Sequence, residues 1–153
     1  MPVRVQREDF DAGAEIARLR ADNPKVGAVA SFIGVARDVN DGDAVMAMTL
    51  EHYPGMTERA LEDICAQARA RFDVIDLLVV HRVGELKPGD QIVLVAVTGS
   101  HRGEAFAACE FVMDYLKTEA PFWKKERTAT GERWVDARDS DDARRARWGG
   151  GAR

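Results

Sequence analysis

The run Gln91–Thr98 is almost wholly apolar, and it follows the turn Lys87-Pro-Gly-Asp90, where proline and glycine occupy their favoured places. A strand without a polar face needs cover on both sides, which places it at the centre of a sheet. The preceding apolar run, Val74–Val83, is separated from it by too few residues for a parallel crossover. The two strands therefore pair antiparallel. This constraint favours an α+β fold, with a mixed or antiparallel sheet and helices packed against it.

Other segments fit that frame. Val3 and Val5 alternate with polar residues as a short opening strand, and Asp11 caps a helix to about Arg20. Val26–Val35 is β-branched and apolar, which predicts a buried strand; Gly27 and Gly34 within it mark a bend or a close approach. Asp41-Gly-Asp forms a turn, Val45–His52 a further strand, and Thr57 caps an amphipathic helix to about Phe72. A third helix covers about Gly103–Lys117, and Phe122–Arg127 with Arg133–Val135 forms a hairpin around Thr130-Gly131. Residues 1–148 make one domain. Asp139–Arg153 is charge-rich and carries three glycines near its end, so much of it is expected to be mobile, with 149–153 a flexible tail.

Composition excludes several classes. A formal charge of -4 over 153 residues argues against a general binder of nucleic acid or acidic membranes. No apolar run approaches the roughly 20 residues that span a bilayer. The opening Met-Pro-Val-Arg-Val-Gln lacks the apolar core of a secretion signal, so a cytoplasmic location is expected. Cys65 and Cys109 sit in helical apolar patterns and are expected to be buried. His52 and His81, near the ends of apolar strands, have no metal-site spacing and read as structural. No metal site is expected.

The chemistry concentrates in Met113-Asp-Tyr-Leu-Lys-Thr-Glu-Ala-Pro-Phe-Trp-Lys124. Lys117 falls on the last turn of the third helix, where backbone carbonyls favour a cation. Pro121 ends the helix and turns the chain, which can return Lys124 towards Lys117. Two amines held together suit an anionic substrate; a solvated helix end beside a charge-protected strand edge explains them equally well. Ser100-His-Arg102, between the central strand and the third helix, has free N–H groups and a guanidinium fork for an anion. Arg37 follows the glycine-containing strand, and Arg138 follows the last one.

Six segments then carry a family resemblance: Leu50-Glu-His-Tyr-Pro-Gly-Met-Thr57, His81-Arg-Val-Gly-Glu-Leu-Lys-Pro-Gly-Asp90, Ser100-His-Arg102, Met113-Asp-Tyr-Leu-Lys117, Ala120-Pro-Phe-Trp-Lys124 and Arg133-Trp-Val-Asp-Ala-Arg-Asp139. In this order they closely resemble the large, catalytic subunit of molybdopterin synthase, over about residue 26 to Trp148. The resemblance implies an α/β hammerhead fold with an additional antiparallel element. It also implies a homodimer with a small ubiquitin-like subunit at each end, a heterotetramer overall. The implied reaction is sulfur transfer: the C-terminal Gly-Gly thiocarboxylate of the small subunit places two sulfurs on cyclic pyranopterin monophosphate, giving molybdopterin. No permanently bound cofactor is implied. By motif, Lys117 and Lys124 match the functional lysines; Arg37, His101, Arg102 and Arg138 match the anionic substrate pocket, with Phe32 and Met113 lining it.

Two other classes compete. One is a module that binds a phosphate ligand or nucleic acid, with Phe122 and Trp123 as a stacking platform beside Lys124-Lys-Glu-Arg127. The other is a scaffold for a ubiquitin-like partner. The run Gly149-Gly-Gly is not a carrier tail, because Ala152-Arg153 follow it.

Overall fold

The computed structural model describes residues 2–40, 42–135 and 139–149. Two sheets share the strands. The first contains β1 (Val3–Gln6), β5 (Asp76–Arg82), β7 (Gln91–Gly99) and β2 (Ala28–Val35), in the order β1-β5-β7-β2. β1 runs parallel to β5, and the other two pairs are antiparallel. The second contains β3 (Val39–Asn40), β4 (Asp43–His52), β8 (Phe122–Thr128) and β9 (Gly131–Val135), with the short β6 (Gly84–Leu86) also paired to β4. Its pairings among the described residues are antiparallel. This is the expected α+β architecture with an additional antiparallel element.

Among the described residues four helices complete it: α1 (Ala12–Arg20), α2 (Met56–Arg71), α3 (Arg102–Glu119) and α4 (Asp139–Ala146). β7 shows why its sequence has no polar face. Val93, Val95 and Val97 pack with Leu61, Ile64, Phe111 and Val112 of α2 and α3. Leu94 and Ala96, one residue out of step, pack with Leu78, Val80 and Phe10 on the α1 side. The alternation of β5 is the same, so the first sheet is covered on both faces. The Lys87–Asp90 turn is closed by the Asp90 N–H donating to the Lys87 carbonyl at 2.9 Å, with Gly89 at φ +93°.

Three expectations need correction. β2 is an edge strand: Phe32 and Val35 are 42% and 48% exposed, and Val29 and Ile33 are also open. An apolar β-branched run is equally suited to a core and to an unpartnered edge, so its composition does not separate them. Thr57 does not cap α2. Gly55, at φ +86°, takes that place, and its N–H donates to the Glu58 carboxylate at 2.8 Å. Thr57 is instead fully buried in the first turn. Finally, the charged segment after residue 139 is helical and anchored. Arg144 donates to Asp114 at 3.1 Å, and Trp148 donates from Nε1 to the same carboxylate at 2.7 Å while packing edge-on to Phe72 and Phe111. Its arginines are neutralised by Glu110, Asp114 and Glu119 of α3. Of the expected tail, only Gly149 belongs to the described residues.

Candidate active site

The end of α3 determines the site. Lys117 occupies its last turn, and the Ala120 N–H closes the helix on the Leu116 carbonyl at 3.4 Å. Pro121 breaks the ladder. The Phe122 N–H then donates to the Ala120 carbonyl at 2.9 Å, a tight corner that sends the chain into β8. β8 lies antiparallel to β4, with Phe122 opposite His52 and Lys124 opposite Leu50. A strand alternates its faces, so Phe122, Lys124 and Glu126 share one side and Trp123 and Lys125 the other. The corner thus brings Lys124 back towards Lys117.

Both lysines line one cavity of about 160 Å³ together with Arg37, Asn40 and Glu126; Met48, Leu86 and Ile92 give it an apolar floor. Glu126 is a buried carboxylate, only 3% exposed. Asn40 Nδ2 reaches both of its oxygens, at 3.1 and 2.9 Å, and Arg133 donates to it at 3.3 Å. Arg133 also binds Asp43 at 2.7 Å and the Asn40 carbonyl at 3.0 Å. The hydrogen bond to Asp43, and then that to Glu126, raise the Arg133 pKa above its ordinary value. This network clamps the β3–β4 hairpin, next to Arg37, onto the strand that carries Lys124.

A second cleft, about 510 Å³, opens on the other side of Lys117. Phe32 of β2 and Phe106, Cys109 and Met113 of α3 form its apolar part, with Glu110, Asp114 and Arg144 at its polar edge. Lys117 therefore stands between a polar cavity and an apolar cleft. Phe32 and Met113 both line this second cleft, whereas Arg37 lines the first; Lys117 is common to the two.

His101 and Arg102 lie elsewhere. His101 is the N-cap of α3 without a side-chain capping bond, and both residues are exposed. Fifteen residues of helix separate Arg102 from Lys117, about 22 Å at about 1.5 Å per residue. The preceding loop is tightly held. The Gly27 N–H donates to the Gly99 carbonyl at 2.9 Å, and a Cβ on Gly27 would meet the Ser100 oxygen at 2.2 Å. The close approaches expected at Gly27 and Gly34 are both present; a Cβ on Gly34 would lie 2.8 Å from Val93. Arg138 lies outside the described residues.

The thiols are buried as expected. Burial pushes Cys65 and Cys109 each up to about 11, so neither is a ready nucleophile near neutral pH. Sequence reasoning missed Glu126, Asn40 and Phe106. The alternation of β8 was the available signal for Glu126, two residues beyond Lys124 on the same face.

The expected pairing of Phe122 with Trp123 as one stacking platform does not hold. Phe122 is turned inward, its ring stacked on His81 at 3.9 Å, whereas Trp123 is 46% exposed on the opposite face.

Known proteins resemble this chain in sequence and in fold. Residues 5–119 match the family model described as MoaE protein. A molybdopterin synthase catalytic subunit from Ralstonia nicotianae is 69% identical over 147 residues, covering 96% of this chain and 84% of the relative. The structure of a molybdopterin biosynthesis MoaE protein from Burkholderia ambifaria superposes with a TM-score of 0.83 at 65% identity, covering 96% of this chain and 97% of that one. A complex of subunits 1 and 2 of molybdopterin-converting factor from Helicobacter pylori shares the fold, with a TM-score of 0.71 at 19% identity over 90% of this chain and 92% of that one. The chain belongs to the MoaE family, the catalytic subunits of molybdopterin synthase.

Proposed function

We propose that the chain transfers sulfur twice to cyclic pyranopterin monophosphate, from the C-terminal thiocarboxylate of a small ubiquitin-like partner. The observation that carries this reading is the convergence of Lys117, Lys124 and Arg37, from three separate elements, on one cavity. Such a basic recess suits an anionic substrate and an anionic donor. In each round a carbon–sulfur bond to the substrate forms as a carbon–oxygen bond at the same carbon breaks, its oxygen leaving as water or as the freed phosphate oxygen, and the acyl–sulfur bond of the donor breaks. Water supplies the oxygen that returns the partner's terminus to a carboxylate. Lys117 serves as the acid–base or covalent group, and Lys124 holds the partner's terminus or activates substrate. The buried, high-pKa cysteines support a sulfur source outside this chain.

A glycine terminus fits the route, because a backbone without side chains can thread a narrow approach. The two-subunit complex of the Helicobacter pylori protein supports a small partner in general terms. Exposed apolar side chains along the edge strand β2 support association with a second copy, and hence a heterotetramer. A second copy also resolves the distance along α3: His101 and Arg102 of one chain complete the pocket of the other, with Arg37, Phe32, Met113 and Arg138 as its remaining substrate contacts. No permanently bound cofactor is needed, and the cytoplasm is the place of action. Among the described residues, no helix is long and apolar enough to cross a membrane.

The experiment is reconstitution of the purified chain with a thiocarboxylated small subunit and cyclic pyranopterin monophosphate. Formation of the dithiolene product supports the reading. A stable complex that never turns over favours the scaffold instead.

A further inference from the structure

We infer that His81 is a positioning residue for Lys117 and Lys124, acting through the Pro121–Phe122 corner rather than by touching substrate. His81 lies at the end of β5, on the same face as Leu77 and Val79, and is 5% exposed. Its ring stacks on Phe122 with centroids 3.9 Å apart and planes 18° from parallel. Nδ1 lies 2.9 Å from the Arg82 carbonyl, which assigns it the proton and fixes the ring about its own axis. A tethered plate of this kind holds Phe122 from behind.

A second contact holds the same corner from another side. Thr57 Oγ1 donates to the Pro121 carbonyl at 2.9 Å and accepts from the Tyr53 N–H at 2.9 Å. Between them, α2 and β5 fix the two residues on which the chain turns. Lys117 lies four residues before Pro121, and Lys124 two residues after Phe122 on the same strand face. Arg37 comes from a different part of the chain. A shift at the corner therefore moves both ammonium groups relative to each other and to Arg37.

The imidazole performs this role uncharged. Burial is the main cause that lowers its pKa, to about 4, and the nearby Lys117 of α3 and His52 of β4 push in the same direction. His52 is itself 3.8 Å from Glu58 of α2. A neutral ring next to Lys117 is a stacking surface, not a proton carrier, at neutral pH.

Two readouts separate this inference from the proposed sulfur transfer, on which only the second rests. The first is competitive labelling of the folded chain with trace acetic anhydride, comparing Lys117 and Lys124 with the exposed Lys25 by mass spectrometry. His81→Leu and Phe122→Leu should each change the Lys117-to-Lys124 ratio by more than about threefold. The second is turnover: kcat should fall by about 10–100-fold, the scale of a misplacement of about 1 Å, while KM for the partner subunit stays within about threefold. His81→Phe, which keeps the plate, should remain within about threefold of the parent on both readouts. The double variant should be no worse than the more affected single one, as two halves of one contact. A folded His81→Leu protein with the parental labelling ratio overturns the inference, as does a His81→Phe as impaired as His81→Leu. If His81→Leu does not fold, Phe122→Leu decides alone by the same criterion.

Discussion

Asn40 places its side-chain amide 3.1 and 2.9 Å from the two carboxylate oxygens of Glu126, across 86 residues of sequence. Both residues are buried, so bulk water competes little for this bond. Glu126→Ala leaves the Asn40 amide without that acceptor and takes one of two carboxylates from Arg133, which keeps Asp43. Hydrogen bonds to charged groups contribute about 1.5–3 kcal/mol. A loss of about 2–3 kcal/mol in urea unfolding is expected, and about half that for the isosteric Glu126→Gln. A loss under about 0.5 kcal/mol for Glu126→Ala would show that the clamp is not under tension from the hairpin it holds.

Two glycines near the C-terminal end of the central strand should respond in opposite directions. A Cβ on Gly27 collides with the Ser100 oxygen at 2.2 Å, a backbone atom that cannot rotate away. Overpacking of this kind costs about 1–3 kcal/mol, so Gly27→Ala should destabilise the chain and disturb the loop that presents His101 and Arg102. Gly103 lies in the first turn of α3 with nothing within 4 Å of its virtual Cβ. Gly103→Ala should stabilise by about 0.5–1 kcal/mol. Thermal unfolding of the pair checks both signs together.

Those positions also show what the sequence made legible. The antiparallel centre was readable because its evidence is local: an apolar run, a proline–glycine turn, and a second apolar run. The lysine corner was readable for the same reason, since Pro121 lies between its two members. Relations over long separations were not. The arginines of α4 looked like a solvated charge run because their acidic partners, Glu110 and Asp114, lie some thirty residues earlier on α3. Likewise, β2 has the composition of a core strand, and only its place at the sheet edge reveals exposed Phe32 and Val35. His101 and Arg102 matched a pocket by motif, yet the length of α3 separates them from Lys117 within one chain.

Stability should depend on pH through His81. Its folded pKa is lowered to about 4, mainly by burial, against an ordinary 6.5. Between these values the unfolded chain binds the proton and the folded one does not, so stability rises with pH. The contribution is fully present above about 6.5 and is lost as pH falls towards 4. Its size is about 3 kcal/mol. Urea midpoints measured from pH 4 to 7 should show this slope in the parent chain and a shallower one in His81→Phe. Equal slopes would assign the acid sensitivity to other groups.

Trp148 should anchor α4. Its ring meets Phe111 and Phe72 edge-on at 5.5 and 5.8 Å, and its Nε1 binds Asp114. Trp148→Phe keeps part of the packing but removes the bond to a buried carboxylate, whereas Trp148→Ala removes both. Large-to-small changes at aromatic core sites cost about 3–5 kcal/mol, and Trp148 is only partly buried, so a loss of about 2–3 kcal/mol is expected for Trp148→Ala. Hydrogen exchange should show α4 opening before α3 in that variant. Unchanged protection of residues 143–147 would mean that the arginine bridges hold the helix without the indole.

The two ends of α3 make the most direct prediction about how the site is assembled. Lys117→Ala should lower turnover by roughly 10²–10⁴-fold, the usual cost of removing a positioned acid–base group, while the chain stays folded and keeps its partner. Arg102→Ala should weaken substrate binding by about one to two decades. About 22 Å of helix separates these residues within one chain, so the proposed assignment brings both to a single pocket only across two copies. Refolding a 1:1 mixture of the variants tests this. If Arg102 of one copy completes the pocket of the other, each mixed dimer contains one pocket with both residues native and one with neither. Random pairing makes half of the dimers mixed, so activity should recover to about a quarter of the parental value. If each pocket were built from one chain, no native pocket could form, and the mixture would be no more active than the average of the two variants alone.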